Sequence, residues 1–155
     1  MITGIHHASI TTPNLERAVA FYSGLIGMEV VARWDWQAGN AGADAIYGLK
    51  GSAVNMVMLK TGNAFLELFE FVSPAGKPNE ANRPVCDAGV THVCLAVKDI
   101  HAEYERLRAA GVHFNCPPQP VPGVLIATYA RDPDGNILEL LEPDPTGPFA
   151  LPHSP

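Results

Sequence analysis

The sequence predicts an α+β fold built from two copies of one β-α-β-β-β module. Three observations carry this. The pentapeptide LELFE at 66–70 returns as LELLE at 138–142, each copy follows a Gly-Asn pair (Gly62-Asn63, then Gly135-Asn136), and each lies downstream of an apolar strand that carries a histidine, His7 or His92. Landmarks that recur in one order along a chain mark an internal duplication.

The elements follow in order. Residues 7–11 (HASIT) suit a buried strand, which Thr12-Pro13-Asn14 breaks. Asn14 is a good N-cap for the helix LERAVAFYSGLIG, which sets Leu15, Ala18, Val19, Tyr22 and Ile26 on one face and closes at Gly27. Residues 28–34 (MEVVARW) form a β-branched strand. Residues 35–52 carry Gly, Ala and Asp without a period, and are expected as a long loop with one helical turn, a form often functional in a compact domain. Segments 53–59 and 63–71 make a hairpin turned at Lys60-Thr61-Gly62. Residues 73–89, dense in Pro, Gly and Asn, form a linker.

The pattern then restarts with strand THVCLAV, cap Asp99, helix IHAEYERLRAAG and a short strand at 112–115. A Pro-rich loop to Gly123, strand VLIATYARD, turn DPDGN and strand ILELLE complete it. His7 matches His92, Asn14 matches Asp99, Gly27 matches Gly111 and Glu67 matches Glu139. The domain therefore comprises a first module over 1–72, the linker over 73–89, a second module over 90–143 and a Pro-rich tail over 144–155.

Composition narrows the function classes. A chain of 155 residues buries a real core as one domain. With 47% hydrophobic and only 17% charged residues, much of it must pack inside or against a second copy, so a homodimer is expected. The net charge of −6, without a basic cluster, argues against nucleic acid. No apolar run approaches the roughly 20 residues of a membrane span, and MITGIHHASI lacks a signal peptide's charged start, so the expected location is cytoplasmic. Cys86, Cys94 and Cys116 fit neither a disulfide framework nor a zinc ribbon and read as reduced thiols.

Strand alternation selects the polar residues that can share a face. His7, Ser9 and Thr11 fall together, as do His92, Cys94 and Ala96. Glu67 and Glu70 fall on opposite faces, and so do Glu139 and Glu142. Glu67 and Glu139 sit among apolar flanks, where an unpaired carboxylate is costly and needs a cation or strong donors. His7, Glu67, His92 and Glu139 are then a mixed N/O set suited to one divalent ion, Zn, Ni, Co, Mn or Fe(II), with positions open for water or substrate. His6 abuts His7 but alternation points it the other way, as a surface or packing residue. His101, His113 and His153 have no partner of matching spacing.

The motifs HHASITTPNLERAVAFYSGLIGMEV, AFLELFEF, THVCLAVKDI and RDPDGNILELLE, spread over roughly residues 4–143, resemble the vicinal oxygen chelate superfamily. That superfamily includes glyoxalase I, methylmalonyl-CoA epimerase, extradiol dioxygenases and the fosfomycin and bleomycin resistance proteins. The resemblance implies a cup of eight strands holding one metal, with His7, Glu67, His92 and Glu139 as ligands. Bacterial glyoxalase I carries an Arg and an Asn for glutathione where this chain has Thr11 and Phe71, which disfavours that thiol. The epimerase's non-ligand acid/base glutamate corresponds to Asn55, which cannot take a proton. An extradiol dioxygenase would use His7, His92 and Glu139 on Fe(II) and leave the position of Glu67 free. Four intact ligands disfavour a metal-free resistance or binding module.

What the resemblance leaves is proton transfer by an isomerase, epimerase or lyase of the glyoxalase type. A metal-chelated α-oxygenated carbonyl would lose a C–H proton to Glu139 or Glu67, with Glu139 favoured as the base. The small-molecule substrate is expected to be largely apolar or aromatic. Phe65, Phe69, Cys94, Ile137 and Leu141 are cup-facing by alternation, and the 35–52 loop adds Trp36, Ile46 and Tyr47 beside Trp34. Tyr129 and Arg131, just before the DPDG turn, are expected polar contacts.

Overall fold

The computed structural model describes residues 1–80 and 82–150, so Ala81 of the expected linker and the end of the tail with His153 lie outside the described residues. The chain divides into two compact units, one running through Asn79 and the other beginning at Glu80. Each unit holds one four-stranded mixed sheet, so the eight strands are divided four and four.

The first unit comprises β1 (His7–Thr11), α1 (Leu15–Val19), β2 (Glu29–Trp36), α2 (Ala41–Tyr47), β3 (Ala53–Thr61) and β4 (Ala64–Ser73). Its strand order is β1-β4-β3-β2, with β1 parallel to β4 and the other pairs antiparallel. The Asn14 side chain accepts from the Arg17 backbone N–H at 3.0 Å and so starts α1 as its sequence promised. The helix does not keep its 3.6-residue period. After Val19 it widens into a π-helical stretch, Ala20–Leu25, in which the Ile26 N–H reaches back five residues to the Phe21 carbonyl at 2.9 Å. The wider turn buries Phe21 beside Tyr22 and leaves Ile26 only partly covered, a shift that a strict helical period does not foresee. Gly27, at φ 92°, ends the stretch in the left-handed conformation that glycine adopts without strain.

Under this helix lies one face of the sheet. α1 packs on β3 and β4, where Val57, Leu59 and Leu68 are fully buried. Burying each such side chain contributes about 1.5–3 kcal/mol. The same register turns His7, Ser9, Thr11, Phe65, Glu67, Phe69, Met56 and Met58 to the other face.

Two expectations for this unit change. The strand expected at 28–34 runs Glu29–Trp36, and the one helical turn expected in the loop of 35–52 is the longer, seven-residue helix α2. Asn40 caps that helix by accepting from the Ala43 N–H at 3.0 Å, and Gly48 closes it. Asp44 then holds the return to β3, accepting from the Gly51 and Ser52 N–H groups at 2.7 and 2.8 Å.

The second unit comprises β5 (His92–Ala96), α3 (Ile100–Ala109), β6 (Gln119–Val121), β7 (Leu125–Arg131) and β8 (Ile137–Pro143), in the order β5-β8-β7-β6. β5 is parallel to β8, which repeats the first sheet. Ile100 and Leu107 of α3 are buried, and Tyr104 meets Phe114 with ring centroids 4.8 Å apart. The short strand expected at 112–115 is instead a single bridge between Phe114 and Ala130, and the regular pairing falls inside the Pro-rich loop, at β6. Pro117 and Pro118 have no N–H to give to a ladder, so the edge bulges there. The Thr128 hydroxyl satisfies the Cys116 carbonyl at 2.6 Å before pairing resumes.

Candidate metal site

Parallel pairing places each histidine two residues short of a glutamate on the neighbouring strand. His7 lies opposite Phe65 in the β1–β4 register, and its Nε2 reaches Oε2 of Glu67 at 3.4 Å. His92 lies opposite Ile137 in the β5–β8 register, and its Nε2 reaches Oε2 of Glu139 at 3.0 Å. The Glu67 and Glu139 side chains are only 11% and 13% exposed, whereas both histidines keep an open edge. A desolvated carboxylate must be compensated, and here an imidazole does so in each unit.

Among the described residues no group of three or more His, Cys, Asp and Glu side chains is arranged to hold a metal, so neither pair finds a third protein ligand inside its own unit. The donors nonetheless fit a divalent ion. Two ligand atoms about 2.1 Å from one metal stand roughly 3.0 Å apart at a right angle and 3.4 Å apart at a tetrahedral angle. Those are the His–Glu separations observed.

The second glutamate of each pentapeptide has its own task. Glu70 turns to the helix side, accepting from the Leu15 N–H at 3.3 Å and from the Asn55 side-chain amide at 2.9 Å. Glu142 accepts from the Asp99 and Ile100 N–H groups at 3.2 and 2.8 Å. Both carboxylates thus satisfy the orphan donors and positive dipole end of their own module's helix. Asn55 belongs to that contact and lies on the sheet face opposite His7 and Glu67.

Around Glu67 the face is aromatic. Trp36 and Tyr47 stack with centroids 5.3 Å apart, Phe69 lies 5.7 Å from Tyr47 and 6.4 Å from Trp36, and Phe71 completes the group at 5.5 Å from Phe69. Val54 and Met56 pack beneath them. Desolvation, with the charge of Glu67 added, raises the pKa of Tyr47. A chain of hydrogen bonds from Trp36 Nε1 to Ser52 Oγ, at 3.0 Å, and from Ser52 to Asp44 ties this cluster to α2. Phe65 lies further along β4, stacked on His6 at 5.0 Å.

In the second unit Cys94 and Tyr129 flank Glu139 on the neighbouring strands. Cys94 keeps part of its surface toward solvent, yet desolvation by the strands beside it, then the charge of Glu139 and a hydrogen bond to it, push the thiol up to about 12. Tyr129 is raised by burial and then by Glu139, and meets the His92 ring edge-on at 5.2 Å. Arg131 shares this face, but its guanidinium donates to the Gly135 and Arg83 carbonyls, both at 2.8 Å, and so fastens the DPDG turn to the segment before β5. Ile137 and Leu141 also fall on this face by register.

Alternation misplaced one residue. His6 was expected to point away from His7, but it precedes β1 and does not follow the strand's pleat. Its ring turns back over Phe65 and brings Nδ1 to 2.9 Å from Nδ1 of His7. Thr91 stands likewise, with Oγ1 2.8 Å from Nδ1 of His92. The one sequence signal for either was its place immediately before the histidine in each repeat.

The profile of the glyoxalase/bleomycin resistance protein/dioxygenase superfamily matches residues 4–140. The chain belongs to that superfamily. Its relatives include a 2-epi-5-epi-valiolone epimerase from Actinomyces sp, 31% identical over 94% of this chain and 82% of the relative. An ethylmalonyl-CoA/methylmalonyl-CoA epimerase from Cereibacter sphaeroides is 28% identical over 90% of this chain and 98% of its own length. Lactoylglutathione lyases are among the other relatives of the superfamily. The solved structure of a glyoxalase family protein from Bacillus cereus superposes with a TM-score of 0.83 at 23% identity, over 92% of this chain and 95% of that one, and shares its fold.

Proposed function

We propose that this chain is a divalent-metal-dependent isomerase or epimerase, or a lyase of the glyoxalase type, acting by proton transfer on a largely apolar α-oxygenated carbonyl compound. The observation that carries the reading is the repeated diagonal contact, one imidazole Nε2 against one desolvated carboxylate in each sheet. His7, Glu67, His92 and Glu139 would hold the ion, which is Zn, Ni, Co, Mn or Fe(II). When bound, the ion supplies Lewis acidity that polarises a carbonyl and acidifies the adjacent C–H.

The chain's own groups do the rest. Glu139 takes the proton, its charge placed by the Cys94 thiol and flanked by Tyr129. Glu67 returns it, from a surface that the rings of Trp36, Tyr47 and Phe69 keep apolar. Two carboxylates with separate duties suit an epimerase, in which one removes the proton and the other restores it. The names of two relatives, a 2-epi-5-epi-valiolone epimerase and an ethylmalonyl-CoA/methylmalonyl-CoA epimerase, support that choice, and those of the lactoylglutathione lyases keep the lyase beside it. Phe65, Cys94 and Tyr129 complete the surface offered to substrate, whereas Arg131 holds the backbone behind it.

Metal analysis of the protein as isolated tests this directly. Stoichiometric divalent metal is expected in the wild type and its loss in His7→Ala, and equal metal in both sinks the proposal. With an α-hydroxycarbonyl panel in deuterated water, the substrate is expected to gain deuterium without oxygen uptake. Oxygen consumption would instead mark a ring-cleaving dioxygenase.

A further inference from the structure

In both repeats the residue just before the histidine touches the ring nitrogen that faces away from the carboxylate: His6 beside Nδ1 of His7, and Thr91 beside Nδ1 of His92. The opposite nitrogen, Nε2, is the one turned to Glu67 or Glu139. An imidazole and a hydroxyl look unlike, but each can either donate or accept a hydrogen bond. That shared property matters here. An Nε2 that donates its proton to the glutamate requires a donor at Nδ1. An Nε2 whose lone pair serves a cation requires the proton on Nδ1, and an acceptor there. A backbone carbonyl would satisfy only the second state and a lysine only the first.

Resting on the metal reading above, we infer that His6 and Thr91 are positioning residues, which aim Nε2 of His7 and His92 at the glutamates and follow the proton to Nδ1 when a cation takes its place. His6 is itself held by its stack on Phe65, with the ring planes 10° apart. The His92 ring is braced edge-on by Tyr129. Neither His6 nor Thr91 touches the carboxylates, so each acts through the histidine that follows it.

Two-bond proton–nitrogen spectra of the labelled protein test the inference, recorded without metal and with zinc(II). In the metal-free protein, Thr91→Val is expected to change the Nδ1 signal of His92 alone and His6→Phe, which keeps a ring to stack on Phe65, that of His7 alone. Thr91→Ser restores the wild-type pattern. With zinc(II), each ring moves to the Nδ1-protonated form in the wild type, and either variant weakens zinc binding by roughly 10-fold or more, as loss of an outer partner commonly does. Ring-nitrogen signals unchanged in both variants overturn the inference, whether or not zinc binds. A wild type that takes up no zinc but shows the variant-specific changes refutes the metal reading and supports the partner assignment.

Discussion

Glu67 and Glu139 carry the chemistry proposed here, and their surroundings differ. Glu67 has His7 and, opposite it in the register, Ser9 beside it with Tyr47 near, whereas Glu139 has His92, the Cys94 thiol and Tyr129 around it. If Glu139 removes the proton, Glu139→Gln is expected to lower kcat by roughly 10²–10⁴-fold, the usual contribution of a positioned general base. Glu67→Gln in an epimerase should slow the return of the proton instead, so that deuterium enters substrate faster than product of inverted configuration appears. Following both exchange and inversion on each variant separates the two roles. Identical losses of exchange and inversion in both variants would reduce the carboxylates to ligands alone. The alternation of side chains made the His–Glu pairs legible in the sequence, because both members lie inside regular strands. His6 was misjudged because it lies one residue outside one.

At the scale of elements, each L-E-L-x-E strand serves its sheet's open face with the first glutamate and its module's helix with the second. Glu142 receives two backbone N–H groups at the start of α3. Removing such a helix-terminal acceptor costs about 1 kcal/mol. Glu142→Ala should therefore unfold at lower urea while divalent metal content stays that of the wild type, and a loss of metal would tie this residue to the site instead. The helix α2 makes a second case. The Ser52 hydroxyl, with the backbone N–H groups of Ser52 and Gly51, holds the Asp44 carboxyl below its ordinary value of 3.8. A carboxyl depressed on folding stabilises above its unfolded value, and that contribution fades as the pH falls through the folded value. Asp44→Asn should then melt earlier than the wild type at neutral pH, with the gap narrowing below pH 3.8. A gap that persists unchanged in acid would assign the loss to shape rather than charge. The sequence offered only one helical turn within 35–52 and neither the cap nor the Asp44 contacts, because α2 is short and buries only Ala43.

For the whole molecule, composition and surface point the same way. Only 17% of residues are charged, and Val30, Val31 and Trp34 are exposed along the edge strand β2. An apolar strand edge left to water invites pairing. A homodimer is the expected assembly, and sedimentation equilibrium showing a monomer at micromolar concentration would reject it. Among the described residues no helix is long and apolar enough to cross a membrane.

The sequence by itself determined the duplication, the fold class, most strand positions and the faces of Glu67 and Glu139, because each follows from a local period or a repeated landmark. Only the tertiary structure decided the tasks of Glu70 and Glu142, the π-helical widening after Val19, the placement of β6 among prolines, and the contacts of His6 and Arg131. Each of these depends on register between segments distant in the chain, or on backbone outside a regular element. Strand alternation carries no information about either.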